Sequence, residues 1–227
     1  MNELTGAWQA VTYGGPMVYP LLALGVLALA IVIDRAVAYG RCLRLPGALM
    51  ELAETYGFAW DELERRIAAL GPHNAYGRFF QTIADNRNKP VWWVESRAGD
   101  EAGAIEKVLN RGLWILETVV TAAPLLGLLG TITGMMQAFR IIGSSTLVAP
   151  TQVTSGVAQA LIATALGLLI AILALFGFNF FARTQAQALD RMERLGSRLI
   201  DHIRLDQENG RAESALAPLA IAREAVR

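Results

Sequence analysis

The sequence predicts an all-α integral membrane protein with three transmembrane helices and long cytoplasmic helical extensions. Three observations predict it. Apolar runs at residues 16–33, 118–139 and 153–181 are each long enough to cross a bilayer, for which about 20 residues are needed. The chain is 54% hydrophobic yet 18% charged, and nearly all the charge lies outside those runs. Lys and Arg are distributed unevenly between the connecting segments.

The unevenness sets an orientation. No Lys or Arg precedes Arg35, and none lies in the link from Ile141 to Gln152. The segment between the first two runs is rich in them, from Arg41 to Arg111, and so is the tail from Arg183 onward. The positive-inside rule puts the N-terminus outside and the C-terminus inside. Arg140 alone is on the wrong side, where it can snorkel into the headgroups. The expected order is an outer N-terminus (1–15), a first span (16–35), an inner helical segment (36–115), a second span (116–142), an outer link (143–151), a third span (152–182) and an inner C-terminal helix and tail (183–227).

Each element has local reasons. In the inner segment, Leu49, Leu52 and Ala53, then Leu63, Ile67 and Leu70, recur at helical spacing. Gly57, Gly71-Pro72 and Lys89-Pro90 punctuate it, which predicts short packed helices. No proline interrupts the chain from Trp92 to Glu117, so the second span is expected to be the end of a longer helix that begins inside. The third run would measure roughly 43 Å against about 30 Å of hydrocarbon, so it should protrude inward. Beyond it, Leu189, Met192, Leu199 and Ile203 form an apolar stripe, with Asp190, Glu193, Arg194 and Arg198 on the wet side. The pattern fades after Asn209-Gly210, and a mobile tail is expected there.

Several function classes are disfavoured. Twenty basic residues balance twenty acidic ones, and no basic block suggests nucleic-acid binding. Cys42 is the only cysteine, so neither an internal disulfide nor a cysteine metal cluster is expected. A cleaved leader is not expected, because no positive residue precedes the first apolar run. His73 and His202 are isolated and read as surface or packing residues. No nucleophile and base converge, and no phosphate-binding loop is present. An enzyme is not expected, and neither are catalytic residues, metal ligands or a cofactor.

The polar content of the spans carries the functional signal. In the second, Ala123, Gly127, Gly130 and Gly134 fall within about 60° of one another, beside Pro124. The third has its own small stripe, including Gly156, Ala160, Ala163 and Gly167. Such stripes let helices approach closely, either within one chain or between copies. Thr131 and Thr164 sit at their margins. Each hydroxyl either bonds a carbonyl one turn back in its own helix or lines a polar path. Gln159 needs a partner in hydrocarbon and serves either as helix-to-helix glue or as cavity lining. Gln137 poses the same question nearer the outer end. Asp34 and Arg35 end the first span at the inner face, as interfacial anchors or a local ion pair. Glu117 marks the inner mouth of the second span, as a cation-attracting group or a solvated flank.

Neither 118–139 nor 153–181 contains Asp, Glu, His or Lys. A proton relay needs a titratable group. These spans cannot carry protons by side-chain ionisation alone, so water or a second chain must supply the carrier.

The segments APLLGLLGTITGMM (123–136), GVAQALIATALGLLIAI (156–172) and GGPMVYPLLALGVLALAIVIDR (14–35) resemble the ExbB/TolQ/MotA proton-channel family, most closely its ExbB/TolQ branch. The likeness covers all three spans in order, whereas the inner segment and the tail are similar in helical character only. The resemblance implies a homopentameric ring in the bacterial inner (cytoplasmic) membrane. That ring would enclose the single-span helices of a dimeric ExbD/TolR-type partner, whose membrane aspartate carries the proton, with sodium as the alternative ion. A TonB-like protein is a further implied partner, alongside membrane lipids. The implied function is an ion-channel, stator-like subunit that passes proton-motive energy to the cell envelope or outer membrane, in TonB-linked transport. The alternatives are Tol-type envelope constriction, a gliding motor or a non-conducting scaffold. Thr131 and Thr164 fall on the family's pore-facing threonines. Gln159 falls where many members carry a glutamate, and an amide cannot titrate.

Overall fold

A computed structural model describes residues 15–44, 47–55, 58–144 and 150–224, with the backbone alone described at 48, 53–54, 141–144, 150–153 and 210–224. Seven helices and no strand occur among the described residues. They are α1 (Val18–Cys42), α2 (Gly47–Glu54), α3 (Trp60–Ala68), α4 (Ala75–Asp85), α5 (Val91–Leu109), α6 (Leu113–Ser144) and α7 (Pro150–Glu224). Three of them carry segments long and apolar enough to cross a membrane, namely Val18–Cys42, Leu113–Arg140 and Thr154–Asn209. The expected outer N-terminus, but for Gly15, and residues 145–149 of the expected outer link lie outside the described residues.

The chain forms two compact units. The first comprises Met1–Ala36 and Asn110–Arg183; the second comprises Val37–Leu109 and Thr184–Arg227.

In the first unit, α1, α6 and the early part of α7 pack through small residues. A Cβ on Gly25 would touch the Ile170 side chain at 3.3 Å, and one on Gly177 would meet Val32 at 2.8 Å. Large apolar side chains point outward instead. Val26, Leu125, Phe176 and Phe180 are each about two-thirds exposed. In water that surface would be untenable; in hydrocarbon it faces a matching solvent.

The second unit has a conventional core. Leu63 and Ile67 of α3, Tyr76, Phe80 and Ile83 of α4, and Val94 and Ile105 of α5 are buried. So are Met192, Leu199 and Ile203 of α7, while Asp190, Glu193, Arg194 and Arg198 are exposed. Asn74 caps α4 by accepting from the Gly77 N–H at 3.0 Å, and its own amide donates to the Arg44 carbonyl at 2.6 Å. α3 has Asp61 and Glu62 in its first turn and Arg65 and Arg66 in its last, the arrangement its dipole favours. The Arg66 hydrogen bond, then the Arg65 charge, holds Glu62 below the ordinary carboxylate value. His202 is a packing histidine, stacked on Phe58 at 4.6 Å, and His73 is exposed.

Two expectations need correction. The chain from Trp92 to Glu117 is not one helix. α5 stops at Leu109, and α6 starts at Leu113 after a turn in which Gly112 takes φ +82°. A residue with positive φ ends a helix without any proline, because glycine has no Cβ to oppose it. Nor does the helix end at Asn209-Gly210, since the α7 backbone remains helical to Glu224.

Candidate ion path in the apolar helices

The site is built on the contact between α6 and α7. The two helices approach along their small residues, and in this structure both stripes are spent on each other within one chain. A Cβ on Gly127 would lie 3.1 Å from the Ala163 carbonyl oxygen and from the Thr164 Cα. One on Gly130 would lie 2.5 Å from the Ala163 Cβ, and one on Gly134 3.0 Å from the Ala160 Cβ and the Gly156 carbonyl oxygen. From the other side, a Cβ on Gly167 would come 2.5 Å from the Ala123 carbonyl oxygen, and one on Gly156 2.8 Å from the Ala138 Cβ. Real Cβ atoms essentially never approach closer than 3.0 Å, so backbone lies on backbone along this seam. Ala123, Ala160 and Ala163 are buried in it. α6 runs through Pro124 without a break, although proline lacks the N–H that would bond the Val120 carbonyl.

The two threonines expected to behave alike do not. Thr131 donates its hydroxyl to the Leu128 carbonyl at 2.6 Å, one turn back in its own helix. Thr164 donates across the seam to the Gly127 carbonyl at 3.0 Å. In an α-helix that carbonyl also accepts the N–H four residues on, which is Thr131. One oxygen therefore joins the backbone of the first threonine to the side chain of the second. Thr133, on the far side of Thr131, bonds the Gly130 carbonyl at 3.1 Å.

Gln159 has a different neighbour from either expectation. Its amide packs on the α-carbon of Gly15, in the turn that leads into α1, where a Cβ would collide with it. Gly15 has φ +73°, so glycine is required there twice over. Gln137 is exposed.

Charged groups flank these helices. The Arg35 guanidinium bonds the Asp34 carboxylate at 2.6 Å, with Arg35 only 11% exposed and Asp34 67%. The helix does not end at this pair but continues to Cys42. Glu117 is exposed near the start of α6, one turn before Thr121, whose hydroxyl bonds the Thr118 carbonyl at 2.9 Å. Among the described residues no group of His, Cys, Asp and Glu is placed to hold a metal ion.

Sequence reasoning missed the Gly15–Gln159 contact and the burial of Ala138. It also missed the α1–α7 notches at Gly25 and Gly177. The last two carried a signal, since each is a lone glycine in a long apolar run.

Three helices long and apolar enough to cross a membrane, two of them joined along a close seam with hydroxyls beside it, mark a multi-pass membrane protein. Comparison with known proteins agrees. The model of the MotA/TolQ/ExbB proton channel family matches residues 71–194, more than half of the chain. The putative biopolymer transport protein ExbB-like 1 of Synechocystis is 35% identical over 193 residues, covering 82% of this chain and 74% of its own. The ExbB-like 3 protein of the same organism is 30% identical over 173 residues, covering 74% and 81%. The biopolymer transport protein ExbB of Aquifex aeolicus is 42% identical over 85 residues, covering 37% and 57%. The chain belongs to the MotA/TolQ/ExbB proton channel family and, by its relatives, to the ExbB branch. It is a proton-channel, energy-transducing subunit of that family.

Proposed function

We propose that the chain is the ion-channel subunit of a proton-motive-force-driven motor in the bacterial inner membrane, with its N-terminus periplasmic and its C-terminus cytoplasmic. Five copies surround the single helices of a dimeric ExbD/TolR-type partner, and the complex drives TonB-linked transport across the envelope. The observation that carries this reading is the lack of any Asp, Glu, His or Lys in residues 118–139 and 153–181 of a chain that belongs to a proton-channel family. The proton carrier must then come from another chain, and the hydroxyls of Thr131 and Thr164 supply polar lining rather than charge. Glu117 concentrates cations at the inner mouth.

The test is proton flux into liposomes holding this chain with its acidic partner. Flux well above that of empty liposomes is expected, with sodium as the competing ion in a parallel series. Flux at background with an intact complex favours a non-conducting scaffold. That second reading draws on Gln159, an amide that cannot titrate and that is packed on Gly15.

A further inference from the structure

The chain passes from one unit to the other at 36–37, 109–110 and 183–184. Beside each of these points stands a residue of the second unit, and one hydroxyl joins them. Tyr39, near the end of α1, donates to the Leu109 carbonyl at 3.2 Å and lies 3.5 Å from the Gln185 Oε1 of α7. Tyr39, Leu109 and Gln185 are all buried. A phenol has one proton to give. The shorter contact takes it to Leu109, with the Gln185 oxygen as a second acceptor.

The accepting carbonyl is in an unusual position. Leu109 is the last residue of α5, where helix carbonyls lose their in-helix donors. In a helix that ran on, that donor would be the Leu113 N–H. Here the Leu113 N–H bonds the Asn110 carbonyl instead, at 3.1 Å, in the turn where Gly112 takes φ +82°. Tyr39 supplies the bond that Leu113 withdraws. Without the hydroxyl, this buried carbonyl would be bare when the chain breaks and paired when α5 and α6 run together.

The local sequence does not force the break by itself. No proline lies between Val91 and Ala123, and glycine adopts the helical conformation as well as the left-handed one. A Cβ on Gly112 would meet Ile31 at 3.6 Å, an ordinary contact, so only its φ resists a side chain there. The break also sets how α6 begins. Glu117 and Thr121 lie within about two and a half turns of Leu113, so the point at which the helix restarts decides where this polar end faces.

We propose that Tyr39 is a positioning residue of the channel, whose hydroxyl caps the end of α5 and so holds the chain broken ahead of α6. Its effect on conduction rests on the channel reading above; the capping itself does not.

The experiment uses the full chain purified with its partner, in a Cys42→Ser background. Proton flux into liposomes is measured first. Spin labels are then placed on Gly99→Cys and Thr118→Cys, both exposed positions, and labelled chains are diluted with unlabelled ones. A joined helix would hold these two positions about 28 Å apart. Tyr39→Phe should assemble with the parent's mass, shift the joined-to-broken ratio upward by about tenfold, and lose flux in step with that shift. Adding Arg111→Gly penalises the joined helix alone, because glycine is a poorer helix former than arginine. It should restore both the parent's distances and its flux. A merely structural tyrosine would give the opposite result, with the second change lowering flux further, and that outcome overturns the proposal. So do parental distances and flux in Tyr39→Phe. Should Tyr39→Phe fail to fold, Gly112→Ala opposes the break without baring any polar group. The same shift and the same rescue are expected, and an unchanged distance overturns the proposal. A parent complex without flux overturns the channel reading, while the distances still judge the cap.

Discussion

The hydroxyl of Thr164 is bonded to the carbonyl oxygen of Gly127 at 3.0 Å, across the seam between α6 and α7. Removing it leaves no unpaired polar group, because the same carbonyl retains its in-helix donor. Hydrogen bonds of this kind between membrane helices contribute about 0.6 kcal/mol on average. Thr164→Val should therefore assemble with little loss of thermal stability and lose most of its proton flux. Thr164→Ser should keep both. Failed assembly of the valine variant, read by size-exclusion chromatography, would make the hydroxyl a structural bond and nothing more.

Two glycine-to-alanine changes should have opposite signs. At Gly167 the new methyl would sit 2.5 Å from the Ala123 carbonyl oxygen, and overpacking of this sort costs about 1–3 kcal/mol. At Gly40, in α1, nothing lies within 4 Å, so helix propensity alone acts and alanine gains roughly 1 kcal/mol. Thermal unfolding in detergent should show Gly167→Ala melting below the parent and Gly40→Ala at or above it. Equal shifts would mean that the seam is looser than described.

Gly15 and Gln159 should behave as a coupled pair. Gly15→Ala meets both an unfavourable φ of +73° and the Gln159 amide. The backbone part costs about 1–2 kcal/mol and stays whatever else changes. Gln159→Ala removes the collision, so the double variant should recover part of the loss but not all of it. Strictly additive effects in a double-mutant cycle would separate the two residues.

Burial pushes the Tyr76 phenol above its ordinary value near 10, and this outweighs the opposing pull of the Arg191 hydrogen bond and charge. The unfolded chain then loses this proton at lower pH than the folded chain. The contribution is fully present below about pH 10 and is lost as pH rises from there toward the folded value. Tyr76→Phe should flatten this alkaline limb in unfolding followed by circular dichroism, with a small change at neutral pH. An unchanged limb would assign it to other groups.

The sequence made some features plain and hid others for definite reasons. The three spans were visible because length and apolarity are properties of composition. The α3 and α7 core positions followed from helical period, as with Leu63, Ile67 and Met192, whereas the buried face of α4 was not read from it. Period does not say which neighbour a face will meet. That is why the Gly127 and Gly167 stripes stayed open between two kinds of packing, and why Thr131 and Thr164 could not be told apart. Only the crossing of α6 and α7 places one hydroxyl near a foreign carbonyl. Gln159 was placed in the correct helix, but its contact lies far away in sequence, at Gly15. The break at Asn110–Gly112 was missed for want of a proline, although glycine after polar residues is a common helix stop.

At the glycines of the α6–α7 seam the nearest groups across it are backbone and alanine Cβ atoms, and the Thr164 hydroxyl is bonded over it. Glycine and alanine have no rotamers to exchange, so such a joint fits in one way and does not yield by degrees. Load applied to one helix passes to the other as through a rigid strut. Compliance has to reside in the outward surfaces, where leucine, methionine and phenylalanine side chains have alternative poses to trade.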